Sequence, residues 1–199
     1  MGGHAEQPVV NILGERVALG PGRRELVPLL YRWDNDFAMR RTQGGTPEPW
    51  TLEREYAAHD REGNDPASVS FIIYRREDWR PIGYTAWHDI NYDHRNASFV
   101  LGIGEADCRG QGLGTEATRL MLDYAFTVLG LHSAMLTVYE YNSAGLAAYR
   151  RAGFREVGRQ RQCHRMGGRF WDMVYMDCLA SEFVSTSIRE ISAPENPRS

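Results

Sequence analysis

Lysine is missing altogether: the 23 basic residues are all arginine. That absence excludes a nucleotide-binding loop of the GxxxxGK[ST] kind, whose lysine reaches the phosphates, and it leaves no lysine side chain for self-modification. Cysteine is scarce. Cys108, Cys163 and Cys178 are odd in number and form no CxxC pair, which argues against a disulfide framework or a zinc knuckle. A reducing, cytoplasmic setting is expected, and no metal is implied. No apolar run approaches the ~18 residues of a membrane span. MGGHAEQPVVNILGERVALG lacks a basic flank ahead of an apolar core, so neither export nor anchoring is expected. A net charge of −3 gives no general attraction to nucleic acid or to an anionic membrane. The arginines at 150, 151, 155, 159, 161, 165 and 169 form a local basic run, read as a solvated face rather than a contact to RNA or to a ligand's phosphate.

What is present is enough for one mixed α/β domain. The chain has 199 residues, 42% of them hydrophobic, which suffices for a single substantial core. Its boundaries are placed at residues 9–183, with 184–199 (VSTSIREISAPENPRS) read as a flexible tail. Residues 9–20 read as a first strand ended by Gly20, Pro21 and Gly22. Leu26, Leu29, Leu30 and Trp33 then recur at helical spacing. A polar segment follows, and a second helix starts at Thr51. From Ser68 the period becomes two: VSFIIYRR, PIGYTAWHDI and ASFVLGIGE predict three strands in an antiparallel meander. A helix over 115–129, the strand SAMLTVYEYN, the helix SAGLAAYRRAGF and two strands around Gly167-Gly168 complete the order.

The segment CRGQGLGTEATRL carries the chemistry. A strand, a turn rich in glycine (Gly110, Gly112, Gly114) and a helix start put free backbone N–H groups at the positive end of a helix dipole, an arrangement suited to a phosphate. Arg109-x-x-Gly112-x-Gly114 resembles the pyrophosphate loop of the GNAT superfamily of N-acetyltransferases. Asn142, Tyr149 and Gly153-Phe154 follow in the order of that family's NxxxxxxYxxxGF segment. Leu13-Gly14-Glu15-Arg16-Val17, Gly114-Thr115-Glu116-Ala117 and Gly168-Arg169-Phe170-Trp171-Asp172 are similar to the subgroup of ribosomal-protein-alanine and polyamine acetyltransferases.

The resemblance implies the GNAT fold: a mostly antiparallel, twisted central sheet, splayed at the cofactor site and flanked by helices. It implies acetyl-CoA as cofactor and direct transfer of the acetyl group to a primary amine, which could be a protein N-terminus, a polyamine, or an antibiotic or amino sugar. An acyl-CoA-binding sensor with a degenerate acceptor site is the alternative, and a homodimer is left open. Leu101, Gly102 and Ile103 would pair with the pantetheine arm. Arg109, Gly110, Gln111, Gly112, Leu113 and Gly114 would hold the pyrophosphate, Arg109 adding charge. Asn142 would bond the cofactor arm, or cap the next helix, or both. Tyr149 would protonate the departing thiolate. Where relatives carry a glutamate base, this chain has Ser98 on one strand and Thr137 on the next. Glu105, Asp89 and His88 are the remaining candidates for the base, with Glu105 placed first. Asp34, Asp36, Glu48, Glu53 and Glu55 lie in segments that would border the acceptor.

Overall fold

A computed structural model describes residues 8–44, 48–185 and 188. Eight strands form one sheet in the order β1-β2-β3-β4-β5-β6-β8-β7. They are β1 (Ile12–Leu13), β2 (Val17–Pro21), β3 (Val69–Arg75), β4 (Arg80–Asn91), β5 (Asn96–Ile103), β6 (Ser133–Tyr139), β7 (Arg155–Met166) and β8 (Arg169–Leu179). The helices are α1 (Val27–Asp34), α2 (Phe37–Gln43), α3 (Leu52–Glu62), α4 (Leu113–Thr127) and α5 (Ser143–Ala152). The predicted meander is β3-β4-β5, joined by short turns and fully antiparallel.

One pairing differs from the rest. β5 and β6 run parallel, with α4 as the crossover between them, and they stay paired only from Asn96↔Ser133 to Ser98↔Met135. Both strands continue, to Ile103 and Tyr139, but they part. Beyond Ser98 the sheet is therefore open along its middle, which is the expected splay.

Alternation along β5 sets what faces that opening. Gly104 N–H donates to Ile82 O at 2.9 Å, so Gly104, and with it Gly102 and Val100, directs its backbone groups toward β4. Leu101 and Ile103 direct theirs into the splay. Their side chains lie under α4, which buries Leu113, Ala117, Leu120, Met121 and Ala125 against the sheet. Trp87 is fully buried beneath it and donates its Nε1–H to Met121 O at 3.2 Å.

The predicted first strand is interrupted. Gly14 and Glu15 turn the chain between β1 and β2, and the carboxylate of Glu116 on α4 accepts from the amides of Arg16 (2.8 Å) and Val17 (3.2 Å). The two resemblance segments around Gly14 and Glu116 are thus one structural clasp. The polar stretch after Asp34 also contains a helix, α2, whose N-cap Asp36 accepts from Ala38 N–H at 2.9 Å. Most of the stretch read as a tail lies outside the described residues. Ser185 and Ile188, which are described, both bond to Asp123 on α4.

Candidate active site

A cavity of about 660 Å³ fills the splay. Its floor is β5, its walls are α5 and the glycine loop, and α2 lies across it.

The loop is shaped for an anion. Gly110 and Gly112 have φ of +74° and +83°, values that cost an L side chain energy, and at Gly110 nothing within 4 Å would meet an added Cβ. These two glycines therefore answer to backbone direction rather than to crowding. Among the described residues, the amides from Gly110 to Thr115 have no recorded acceptor; pairing resumes with Glu116, whose N–H donates to Gly112 O at 3.1 Å. The helix that follows adds its positive end. Arg16 donates to Gln111 O at 2.8 Å and brings a guanidinium beside the loop. The sequence signalled Arg16 only as part of the segment similar to the subgroup.

Arg109 is placed differently from expectation. Its Nε donates to Ile103 O (2.9 Å), and its Nη2 donates to Gly104 O (2.8 Å) and approaches Asp36 at 3.4 Å. The side chain thus pins the loop to the end of β5 and to α2. Leu101 and Ile103 line the cavity, as do Gly110, Gly112 and Gly114.

Tyr149 also lines it, with its ring edge-on to Phe99 and Phe154 at centroid distances of 6.2 and 6.1 Å. Burial pushes its phenol up to about 12, so it stays protonated through the neutral range. Asn142 caps α5, its Oδ1 accepting from Gly145 N–H at 2.9 Å. Its side-chain NH₂ makes no recorded bond among the described residues, and the residue faces the cavity. Capping and cofactor binding are therefore compatible for this one side chain.

The base candidates lie elsewhere. Glu105 accepts from Trp33 Nε1 at 2.8 Å and pairs with Arg32, while Trp33 packs so closely on Gly104 that an added Cβ would clash with the indole. Asp89 is an exposed residue with φ +52° at the β4 irregularity. His88 Nδ1 lies 2.9 Å from Ser68 Oγ, on the α1/α3 side of the sheet. None of the three lines the splay. The charged residues that do are Arg41, Arg109 and Arg151; no Asp, Glu or His is among the described lining residues.

A second cavity, of about 420 Å³, opens on that α1/α3 side and is lined by Asp34, Glu55, Glu62, His59, His88 and Tyr84 among others. Glu55 is 5% exposed. Burial, with Asp34 adding to it, raises its carboxyl to about 7. Burial also raises Asp34, which accepts from Tyr84 Oη at 3.2 Å. Of the acids expected near the acceptor, the structure brings these two together. Asp36 caps α2, and Glu48 pairs with Arg54 at 2.7 Å.

Comparison with known proteins agrees with this geometry. The profile of the acetyltransferase (GNAT) domain matches residues 16–155. Human alpha/beta-tubulin-N-acetyltransferase 9 is 32% identical over 158 residues, covering 73% of this chain and 75% of that protein. Spermidine N(1)-acetyltransferase of Escherichia coli K12 is 27% identical over 170 residues, covering 85% and 89%. The crystal structure of Vibrio cholerae spermidine N-acetyltransferase in complex with CoA and spermine superposes with a TM-score of 0.78 at 24% identity, covering 85% of this chain and 98% of that one.

Proposed function

We infer that this chain, which belongs to the GNAT acetyltransferase family, takes as its acceptor an amine that reaches the site already neutral. The chain is an acetyl-CoA-dependent N-acetyltransferase, moving an acetyl group from acetyl-CoA to a primary amine. Bound acetyl-CoA supplies the thioester that the amine attacks. On our reading the free amides of Gly110 to Thr115 receive the pyrophosphate, helped by Arg16, while the outward backbone of Leu101 and Ile103 receives the pantetheine arm. Tyr149 holds its proton at a hydroxyl facing the cavity, ready for the sulfur.

The observation that supports the acceptor class is the lining of the splay, whose charged groups among the described residues are all arginines. With no carboxylate or imidazole among the described lining residues, none of these strips a proton from an ammonium. An α-amine with pKa near 8 is about one-tenth neutral at pH 7, whereas a lysine-like amine near 10.4 is neutral in roughly one molecule in a few thousand. A polypeptide N-terminus or an amino sugar fits best. The carboxylates of the second cavity favour one other reading, a polyamine served by Glu55 as proton acceptor from the far side of β5.

Matched acceptors of different amine pKa separate the two. We expect kcat/KM to rise with pH along each acceptor's own ionisation. A single limb near pH 7, shared by every acceptor and lost in Glu55→Gln, would establish the second reading instead.

A further inference from the structure

The carbonyl of Leu101 points into the splay, yet it is not free. Gln43, the last residue of α2, donates to it from Nε2 at 3.0 Å. The next outward carbonyl, Ile103 O, is taken by Arg109 Nε. The open edge of β5 thus carries two side chains where another strand would pair. α2 supplies one of them and, through Asp36, also contacts Arg109. Tyr141, just past β6, fastens the same helix from the other wall by donating its hydroxyl to Arg41 O. α2 is therefore held at the glycine loop, at β5 and at the end of β6, and it crosses the cavity between them. Its Met39 and Gln43 rest on the bare backbone of Gly102, where an added Cβ would lie 2.5 Å from Met39 Cε and 3.0 Å from Gln43 Nε2.

We propose that Gln43 is a placeholder for the pantetheine arm: its amide occupies the Leu101 carbonyl in the free enzyme and must leave when the cofactor's own amide arrives. The proposal rests on the acetyl-CoA reading above. An arm lying along β5 needs outward hydrogen-bond partners, because its amides lose water in the cavity. Gln43 lines that cavity at the same carbonyl, so the two compete for one place. Displacing Gln43 undoes the β5 anchor of α2. Thr42 and Met39, which line the same cavity, then settle only after the donor is in place. Gln43 is a positioning residue on this account, and donor binding precedes acceptor binding.

Competition gives a sign that a structural role does not. Removing a residue that helps hold CoA weakens binding, whereas removing a competitor tightens it. In Gln43→Ala, CoA measured by calorimetry should bind about threefold to tenfold tighter, the net worth of one hydrogen bond. 3′-Phosphoadenosine 5′-diphosphate, the cofactor fragment without pantetheine, should bind both proteins alike, which also reports that the variant is folded. CoA binding that is unchanged or weaker in Gln43→Ala overturns the proposal. A second measurement needs no variant: saturating CoA should speed hydrogen exchange of the amides of residues 40–44 in the wild-type protein, and the fragment should not. Slowed or unaltered exchange with CoA overturns the proposal as well. If wild-type protein binds neither ligand, the cofactor reading itself fails and this inference with it; normal CoA binding without these changes sinks the role of Gln43 alone.

Discussion

Two side chains carry most of the testable chemistry at the residue scale. Tyr149 lines the cavity, and burial keeps the proton on its phenol. Tyr149→Phe keeps the ring and its edge contacts with Phe99 and Phe154, so it tests the hydroxyl alone. We expect kcat to fall roughly 10²–10³-fold with CoA affinity nearly unchanged. Rapid-quench measurement of the chemical step is the check, and a wild-type rate there removes Tyr149 from the mechanism. Glu55 makes a different prediction, about stability. Its carboxyl ionises near 4.5 when exposed and at about 7 in the fold. Between those values the native state holds a proton that the unfolded chain has released, so stability declines as pH rises from 4.5 to 7 and stays reduced above 7. Glu55→Gln removes the ionisation. Relative to wild type the variant should gain little at pH 4.5 and roughly 3 kcal/mol at pH 8. Denaturant melts at the two pH values decide it; equal differences at both would mean that Glu55 is not held protonated by the fold.

At the scale of elements, the glycine loop and α4 act as one device, the loop turning its amides outward and the helix adding its positive end. Gly112→Asp strikes both. A φ of +83° strains any side chain, and the new carboxylate would repel the pyrophosphate that we propose the loop receives. CoA affinity should drop more than tenfold, about 1.4 kcal/mol, with a loss of about 1 kcal/mol in stability. Calorimetry on the folded variant tests this. The same loop was legible in the sequence because its requirement is local: strand, positive-φ glycines and helix start are contiguous. The β3-β4-β5 meander was legible for a similar reason, since each strand alternates and ends in a turn. α2 was not. FAMRRTQ buries only Met39, so it has no apolar stripe, and what fastens it is tertiary: Arg109, Leu101 and Tyr141. Glu105 shows the same limit. It is close to the loop in sequence, but the indole of Trp33, 72 positions away, claims its carboxylate and turns it from the cavity. Arg109 looked like a ligand for phosphate, and only the folded end of β5 reveals two carbonyls waiting for its guanidinium.

At the scale of the whole molecule, the question is where the domain ends. Composition places the boundary at Phe183, because the residues after it are mostly polar and two prolines stand near the chain end. α4 carries a contrary signal. Asp123 is 1% exposed on that helix, and its carboxylate accepts from Thr127 Oγ1 (3.0 Å), from the Ser185 hydroxyl and from Ile188 N–H (3.0 Å). Ile188 is itself 4% exposed, and Phe183 packs on Phe126 with ring centroids 5.5 Å apart. The chain beyond β8 thus returns to α4, the helix that roofs the sheet and whose first turn adjoins the glycine loop. Ending the chain after Phe183 would deprive a buried carboxylate of the Ser185 and Ile188 donors and uncover the apolar surface beneath Ile188. Each lost partner of a buried charge costs about 1–3 kcal/mol, so the shortened protein should be less stable by about 2–4 kcal/mol. For a chain of this length that lowers Tm by about 5–15 °C. CoA affinity well below the melt should be retained, because the glycine loop proposed to hold the cofactor lies at the opposite end of α4 from Thr127. Calorimetric melts of the full and shortened chains, each with and without CoA, test both halves of the claim. Equal Tm values would place the boundary at Phe183 after all. A loss of CoA affinity at low temperature would mean that the return segment orders the whole of α4, down to its first turn.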